Sequence, residues 1–112
     1  MLSIKKKWEF NEIYTKHQRI VGFFFIALYQ EDKIAKEFSL GIVVSKKIGN
    51  AVVRNLAKRR IRAFFRENRN NLPLDKKALI ITRKTINNAS WTEIYLDLQK
   101  IISTIASNEN LK

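Results

Sequence analysis

The amino-acid sequence predicts one α/β (α+β) domain, a two-layer sandwich in which a mixed β-sheet packs against about three helices. Short apolar segments rich in Val, Ile and Phe alternate with segments whose apolar residues recur at helical spacing. Their order is helix, strand, strand, helix, strand, helix, which is typical of one sheet covered by helices. The length of 112 residues suits a single domain over 1–112, and no linker, repeat or low-complexity segment divides it.

The first part of the chain contains a short predicted helix and a predicted strand. In residues 7–16, Phe10, Ile13 and Tyr14 recur at helical spacing, which predicts a helix. Residues 20–30 are rich in Phe and Ile, and they predict a strand that is buried on much of both faces. A polar turn follows.

The rest of the chain contains two more predicted strands and two longer helices. Residues 38–45 and 78–82 are apolar and rich in β-branched side chains, so they predict strands. Residues 51–68 predict a long helix, which ends in a stretch that is rich in Asn and contains the only proline. Ser90, with Glu93 three residues later, is a capping-box signature, and the apolar stripe after it predicts the last helix.

Charge is the strongest signal in the composition. The chain has 22 Lys+Arg against 10 Asp+Glu, a formal net charge of +12. A small protein this basic repels itself when folded, so the charge favours a polyanionic partner. Nucleic acid is the first candidate, an anionic membrane surface is the second, and solubility alone is the third explanation. The chain has no cysteine, which is compatible with the reducing cytoplasm where we expect it.

The predicted helix over 51–68 separates basic residues from apolar ones. At 100° per residue, its basic and amide side chains fall within about 140° of one face. We call this set the basic ridge: Arg54, Asn55, Lys58, Arg59, Arg62 and Arg66. The apolar residues assigned to the other side are Val53, Leu56, Ala57, Ile61 and Phe64. A solvated face is the alternative, but solvated faces normally mix charges, so the pattern favours polyanion binding.

The segment SKKIGNAVVRN at 45–55, with the basic residues after it, resembles the signature of the bacterial ribonuclease P protein family. That family carries an Arg-Asn-x-x-Lys-Arg-x-x-Arg core on its long helix. The positions that match it are Arg54, Asn55, Lys58, Arg59 and Arg62. Residues 9–14 are similar to the family's first helix and residues 80–84 to its last strand. The resemblance covers nearly the whole chain in the expected order.

The resemblance implies a function and a set of partners. Members of the family bind a large catalytic RNA and the 5′ leader of precursor tRNA, and the RNA performs the metal-dependent hydrolysis that releases the leader. The resemblance therefore implies that the protein has no catalytic residue and binds no metal or cofactor alone, with Mg²⁺ present in the holoenzyme. It also implies a left-handed crossover between parallel strands around the basic helix, whereas the usual form is right-handed.

The same resemblance implies two RNA-binding surfaces, which we expect to be separable because they lie on different helices. The residues expected to contact the catalytic RNA are Lys46, Lys47, Arg54, Asn55, Lys58, Arg59, Arg62 and Arg66. Those expected to contact the leader are Phe10, Tyr14, Phe24, Leu28, Arg83 and Lys84, with Tyr29 as another candidate beside Phe24. Aromatic rings suit a leader of variable sequence, because any base can stack on them. Core packing is the alternative for the first two rings, and a solvated strand end is the alternative for the last two cations.

Other functions find less support in the sequence. His17 is the only histidine, and Glu9 and Glu12 indicate a solvated helix face rather than a metal site. A stand-alone nuclease would need clustered carboxylates or a histidine pair, and a membrane-surface protein would need the apolar face of its basic helix free for lipid. Another structural RNA-binding protein, such as a ribosomal protein, is the main alternative. We expect the free protein to be monomeric.

Overall fold

The computed structural model describes residues 1–34 and 36–108. In chain order its elements are β1 (Leu2–Ser3), α1 (Lys7–Thr15), β2 (Gln18–Val21), β3 (Phe25–Glu31), β4 (Ser39–Val43), α2 (Ala51–Glu67), β5 (Lys76–Thr82) and α3 (Trp91–Asn108). Short 3₁₀ turns at Arg69–Asn71 and Lys84–Asn88 precede β5 and α3. Among the described helices, none has the length and apolar character needed to cross a bilayer.

The five strands form one mixed sheet in the order β1-β4-β5-β3-β2. Strand β4 is parallel to both β1 and β5, whereas β3 is antiparallel to both β5 and β2. Neighbouring parallel strands require a crossover connection, and α2 supplies it between β4 and β5. The predicted class, one mixed sheet with three helices, is confirmed. The left-handed sense of the crossover stays a prediction.

Alternation along the strands sends side chains to the two faces of the sheet. In β3, Phe25, Ala27 and Tyr29 belong to the main core with α2 and α3, whereas Ile26 and Leu28 belong to a smaller cluster with α1. The sheet and the α2–α3 layer thus form the predicted sandwich, and α1 covers part of the other face.

The prediction of a single strand over residues 20–30 is wrong. Strands β2 and β3 form an antiparallel hairpin there, with a turn at residues 22–24. The predicted helices over 7–16 and 51–68 agree with α1 and α2 within one residue at each end. Strand β1 was not predicted, because two residues carry too little pattern to identify a strand.

The turn between β2 and β3 is held by a carboxylate of α3. Asp97 is buried and accepts the backbone N–H groups of Phe23 (3.0 Å) and Phe24 (2.9 Å). A Cβ on Gly22 would lie 2.8 Å from Asp97 Oδ2, so the close approach requires glycine. The turn conformation therefore depends on a side chain more than 70 residues away in sequence.

Helix α3 begins at the predicted capping box. The Ser90 backbone N–H donates to Glu93 Oε1 at 3.0 Å, and the Glu93 N–H donates to Ser90 Oγ at 3.2 Å. The Ser90 backbone N–H, and after it the Ser90 side chain, lower the pKa of the Glu93 carboxyl. This cap therefore stabilises the helix above the ordinary carboxyl pKa and is lost as pH falls through the lowered one. Of the predicted apolar stripe, Trp91 is half-buried and the other residues are buried: Ile94, Leu98, Ile101, Ile102 and Ile105.

We predict that Asp97→Ala lowers the free energy of unfolding by about 1–3 kcal/mol, because it leaves a buried backbone N–H of the turn without an acceptor. Urea denaturation measures the change. Gln99→Ala, at an exposed position on the same helix, is the control and should stay within about 0.5 kcal/mol of the parent. If the urea denaturation curves of Asp97→Ala and Gln99→Ala have the same midpoint and slope, Asp97 does not hold the turn.

Candidate nucleic-acid interface

Helix α2 places the basic ridge on the outside of the domain. Asn50 caps the helix by accepting the Val53 N–H at 3.0 Å. The residues that bury its other side are Ala57, Ile61, Phe64 and Phe65. Of the ridge, Asn55, Arg59, Arg62 and Arg66 are exposed, whereas Arg54 and Lys58 are half-buried. Across the described ranges, no carboxylate lies within ion-pair distance of any of them, so these cations keep their charge available for a partner.

The buried face of α2 is rotated from the predicted one by roughly 50°. Val53 and Leu56, which were assigned to the core, are 42% and 37% exposed. Phe65 takes their place, because its ring stacks on Phe38 at 6.0 Å and packs edge-to-face on Phe64 at 5.4 Å. The rotation brings the side of the ridge that carries Arg54 and Lys58 toward the core. The Nε of Arg54 is consequently buried and has no hydrogen-bond partner among the described residues.

Lys46 and Lys47 lie in the turn between β4 and α2, and both are exposed. Ile48 anchors this turn: its side chain is buried and its carbonyl oxygen accepts a hydrogen bond from Asn87 Nδ2 at 3.0 Å. The turn therefore holds the two lysines at the start of the helix that carries the basic ridge.

On the other side of the sheet, α1 carries Phe10 and Tyr14. Ile13 is fully buried against the sheet, Phe10 is half-buried, and Tyr14 is 45% exposed. Gly41 lies beneath Phe10, since a Cβ there would be 3.3 Å from Phe10 Cε1 and 2.5 Å from Leu79 Cδ2. Phe10 is thus partly a core residue, whereas Tyr14 is exposed and available to a ligand.

An apolar sheet surface continues from these two rings. Ile26 and Ile81 are half-buried and pack against the same small cluster as Phe10, and Leu28 is buried within it. We call this surface, formed by Phe10, Tyr14, Ile26, Leu28 and Ile81, the α1 face. Of the residues predicted to contact the leader, the structure brings Phe10 and Leu28 together in this cluster and places Tyr14 beside Ile13 on α1.

Phe24, Leu28 and Tyr29 were candidates for leader contacts, and the structure buries all three side chains. Phe24 is 6% exposed and lies in the main core on the α2–α3 side. Tyr29 is also buried there, and its hydroxyl donates to Gln18 Oε1 at 2.7 Å. Alternation along β3 places Tyr29 with Phe25 and Ala27 on the side of the main core, and Phe24 joins the same cluster from the turn before β3.

Arg83 has a structural contact that the sequence did not indicate. Its Nη1 donates to the carbonyl oxygen of Gly22 at 2.7 Å, so the guanidinium braces the turn between β2 and β3. Lys84, the next residue, is exposed at the start of a 3₁₀ turn. Of these two predicted leader contacts, only Lys84 has a charged group without a hydrogen-bond or ion-pair partner among the described residues.

His17 and Glu12 each have a partner in the structure. His17 Nδ1 lies 2.9 Å from the carbonyl oxygen of Ile13, at the end of the helix. Glu12 forms an ion pair with Lys77 at 3.6 Å. Within residues 1–34 and 36–108, no three His, Cys, Asp or Glu side chains come close enough to hold a metal ion.

The two surfaces meet at one edge of the sheet. Phe10 of the α1 face lines a cavity of about 260 Å³ together with Arg62 and Arg66 of the basic ridge. The two surfaces therefore lie on different helices but adjoin beside β4, and their separability by mutation stays a prediction.

An exposed basic helix, two aromatic rings of α1 beside an apolar sheet surface and a strongly positive net charge are typical of a nucleic-acid-binding protein. A family model described as Ribonuclease P matches residues 2–106. The ribonuclease P protein component of Mycoplasma mycoides is 40% identical over 103 residues, which cover 91% of this chain and 94% of that protein. The chain belongs to the ribonuclease P protein family, which decides against the ribosomal-protein alternative.

Solved structures agree with this assignment. The RNase P protein of Staphylococcus aureus superposes with a TM-score of 0.85 at 34% identity, and the alignment covers 95% of each chain. The RNase P protein from Thermotoga maritima has a TM-score of 0.82 at 24% identity, over 91% of this chain and 96% of that one, and it shares the fold.

We predict that Gly41→Ala lowers the free energy of unfolding by about 1–3 kcal/mol, because the added methyl group forces Leu79 and Phe10 apart. Urea denaturation measures the loss. Ser45→Ala, an exposed position just beyond the same strand, is the control. If Gly41→Ala unfolds at the same urea concentration as the parent, Leu79 and Phe10 do not pack closely on Gly41.

Proposed function

We propose that this chain is the protein subunit of ribonuclease P and that it assists removal of the 5′ leader from precursor tRNA. It binds the catalytic RNA through the basic ridge with Lys46 and Lys47, and it binds the leader across the α1 face. We further propose that it acts in the cytoplasm and is a monomer when free.

The basic ridge is the observation that most supports RNA binding. Its exposed arginines stand on a rigid helix whose other side is packed in the core, and no described carboxylate neutralises them. Arg59, Arg62 and Arg66 follow one another at three- and four-residue spacing, so they project from neighbouring helical turns. Guanidinium groups held in this way can each bind a phosphate through two hydrogen bonds.

The α1 face supports binding of a single strand. Tyr14 and the outer side of Phe10 offer rings on which bases can stack, and stacking tolerates any sequence. Lys84 can contribute a phosphate contact. A paired helix would hide its bases from these rings, so the surface fits the unpaired leader better than the folded tRNA.

The chemistry of cleavage is assigned to the RNA. Mg²⁺ prefers carboxylate and other oxygen ligands, whereas the two surfaces present arginines, lysines, one amide and apolar rings. These residues do not fit Mg²⁺. We therefore propose that RNA groups hold the metal ions of the holoenzyme and that the protein supplies no catalytic residue.

Single replacement of Arg59 or Arg62 by alanine should weaken binding to the catalytic RNA. Each lost phosphate contact should lower the slope of log affinity against log salt concentration by about 0.7–0.9, the value for one released counterion. Filter binding across a salt series measures this slope. Lys100→Ala, which removes an exposed cation from α3, should leave it unchanged. Unchanged slopes for both arginine variants would remove the basic ridge from the RNA interface.

Tyr14→Ala should reduce the affinity of the holoenzyme for precursor tRNA with a leader of several nucleotides by about 1–3 kcal/mol, the value of one stacked base. Affinity for mature tRNA, and affinity of the protein for the catalytic RNA, should stay at parent values. Trp8→Ala is the matched control, because Trp8 is 60% exposed on another side of the same helix. Equal losses with leader-bearing and leaderless substrates would show that Tyr14 does not contact the leader.

A further inference from the structure

The cavity at the edge of β4 exists because one strand of the sheet is very short. Strand β1 pairs only with Ser39 and Leu40. After β1 the chain leaves the sheet toward α1, and β4 continues to Val43 without a paired strand on that side. The space beside it, about 260 Å³, is enclosed by the segment after β1, by α1 and by α2.

The lining of this cavity combines an apolar floor with a cationic rim. Ile4 and Ile42 contribute aliphatic surface and Phe10 contributes part of a ring. The charged side chains that reach the cavity are Lys5, Arg62 and Arg66, and no acidic residue lines it. Among the described residues, none of these three cations forms an ion pair.

From this lining we infer that the cavity binds one unstacked ribonucleotide of a bound RNA. The base would lie against Ile4, Ile42 and Phe10, and its phosphate would be held by Lys5 and the two arginines. Bases splayed out of a single strand are recognised in this way, by apolar contact and charge-assisted hydrogen bonds. The inference rests on the proposed function, since it assumes that RNA reaches this edge of the sheet.

Size and charge favour this occupant over others. The cavity is slightly smaller than typical small-molecule pockets, which are roughly 300–1,000 Å³, so one flat ring fits and a base pair does not. A lipid chain or an apolar peptide would leave three cations without partners. An acidic peptide is the remaining competitor, and the experiment below includes it.

The position of the cavity implies a specific role. It shares Phe10 with the α1 face and Arg62 and Arg66 with the basic ridge. A nucleotide seated there would connect the RNA on one surface with the RNA on the other. The nucleotide could come from the upstream part of the leader or from an unpaired position of the catalytic RNA.

Lys5 tests the inference, because it lines the cavity and belongs to neither proposed surface. Lys5→Glu should weaken RNA binding at least about fivefold, whereas Lys6→Glu should have a clearly smaller effect, since Lys6 is exposed next to it but does not line the cavity. Lys5→Arg should bind like the parent. Equal effects of the two charge reversals would mean general electrostatic attraction and would overturn the inference.

Two binding measurements with these variants identify the source of the nucleotide. If it comes from the leader, Lys5→Glu weakens only holoenzyme binding to precursor tRNA, and the loss grows between leaders of two and eight nucleotides. If it comes from the catalytic RNA, the loss appears in binding of the protein to that RNA without substrate. If Arg59 and Tyr14 variants behave as proposed while Lys5→Glu equals Lys6→Glu in both measurements, the cavity inference fails and the proposed function stands.

A direct readout comes from methyl NMR of the protein with a single-stranded RNA hexanucleotide. The Ile4 and Ile42 methyl resonances should move upfield as a base stacks nearby, whereas that of Ile105, buried in the main core, should not move. A hexaglutamate peptide is the competitor control. Shifts with the peptide and none with the RNA would assign the cavity to acidic peptides and contradict the inference.

Discussion

The packing of α2 on the sheet is the interaction on which the rest of the structure depends. Ile61, Phe64 and Phe65 fix the rotation of the helix by burying one side in the core. Because the ridge is defined by that rotation, the same contacts decide which cations face a partner. The change of roughly 50° from the predicted rotation leaves Arg59, Arg62 and Arg66 exposed while drawing Arg54 toward the core. Helix α2 thus packs in the core with one side and presents the cations proposed to bind phosphate on the other.

The sheet links the position of α2 to that of α1 on the opposite face. Gly41 of β4 lets Phe10 approach the sheet, while the neighbouring Leu40 points into the main core with α2. One strand therefore positions both the aromatic rings of α1 and the helix that carries the ridge. The short β1 leaves the edge of that strand open, and there the two surfaces adjoin.

Local patterns in the sequence predicted the helices well, because periodicity and caps are local. The Ser90–Glu93 box acts within a few residues and forms as expected, whereas the Asn50 cap of α2 was not predicted. The hairpin between β2 and β3 could not be predicted in this way, because its turn residues are apolar and are held by Asp97. The assignment of Phe24 and Tyr29 to the leader came instead from the family resemblance, and the tertiary structure buries both rings in the main core. The edge cavity likewise depends on three segments that only the tertiary structure brings together.

The central claim is that the protein supplies binding surfaces while an RNA performs the cleavage. Cleavage of a precursor tRNA at low magnesium concentration, by the cognate catalytic RNA with and without the protein, tests it most directly. The account predicts rapid cleavage with both components, slow cleavage with the RNA alone, and none with the protein alone. Cleavage by the protein after purification free of other nucleases, or equal rates for the RNA with and without it, would contradict the account.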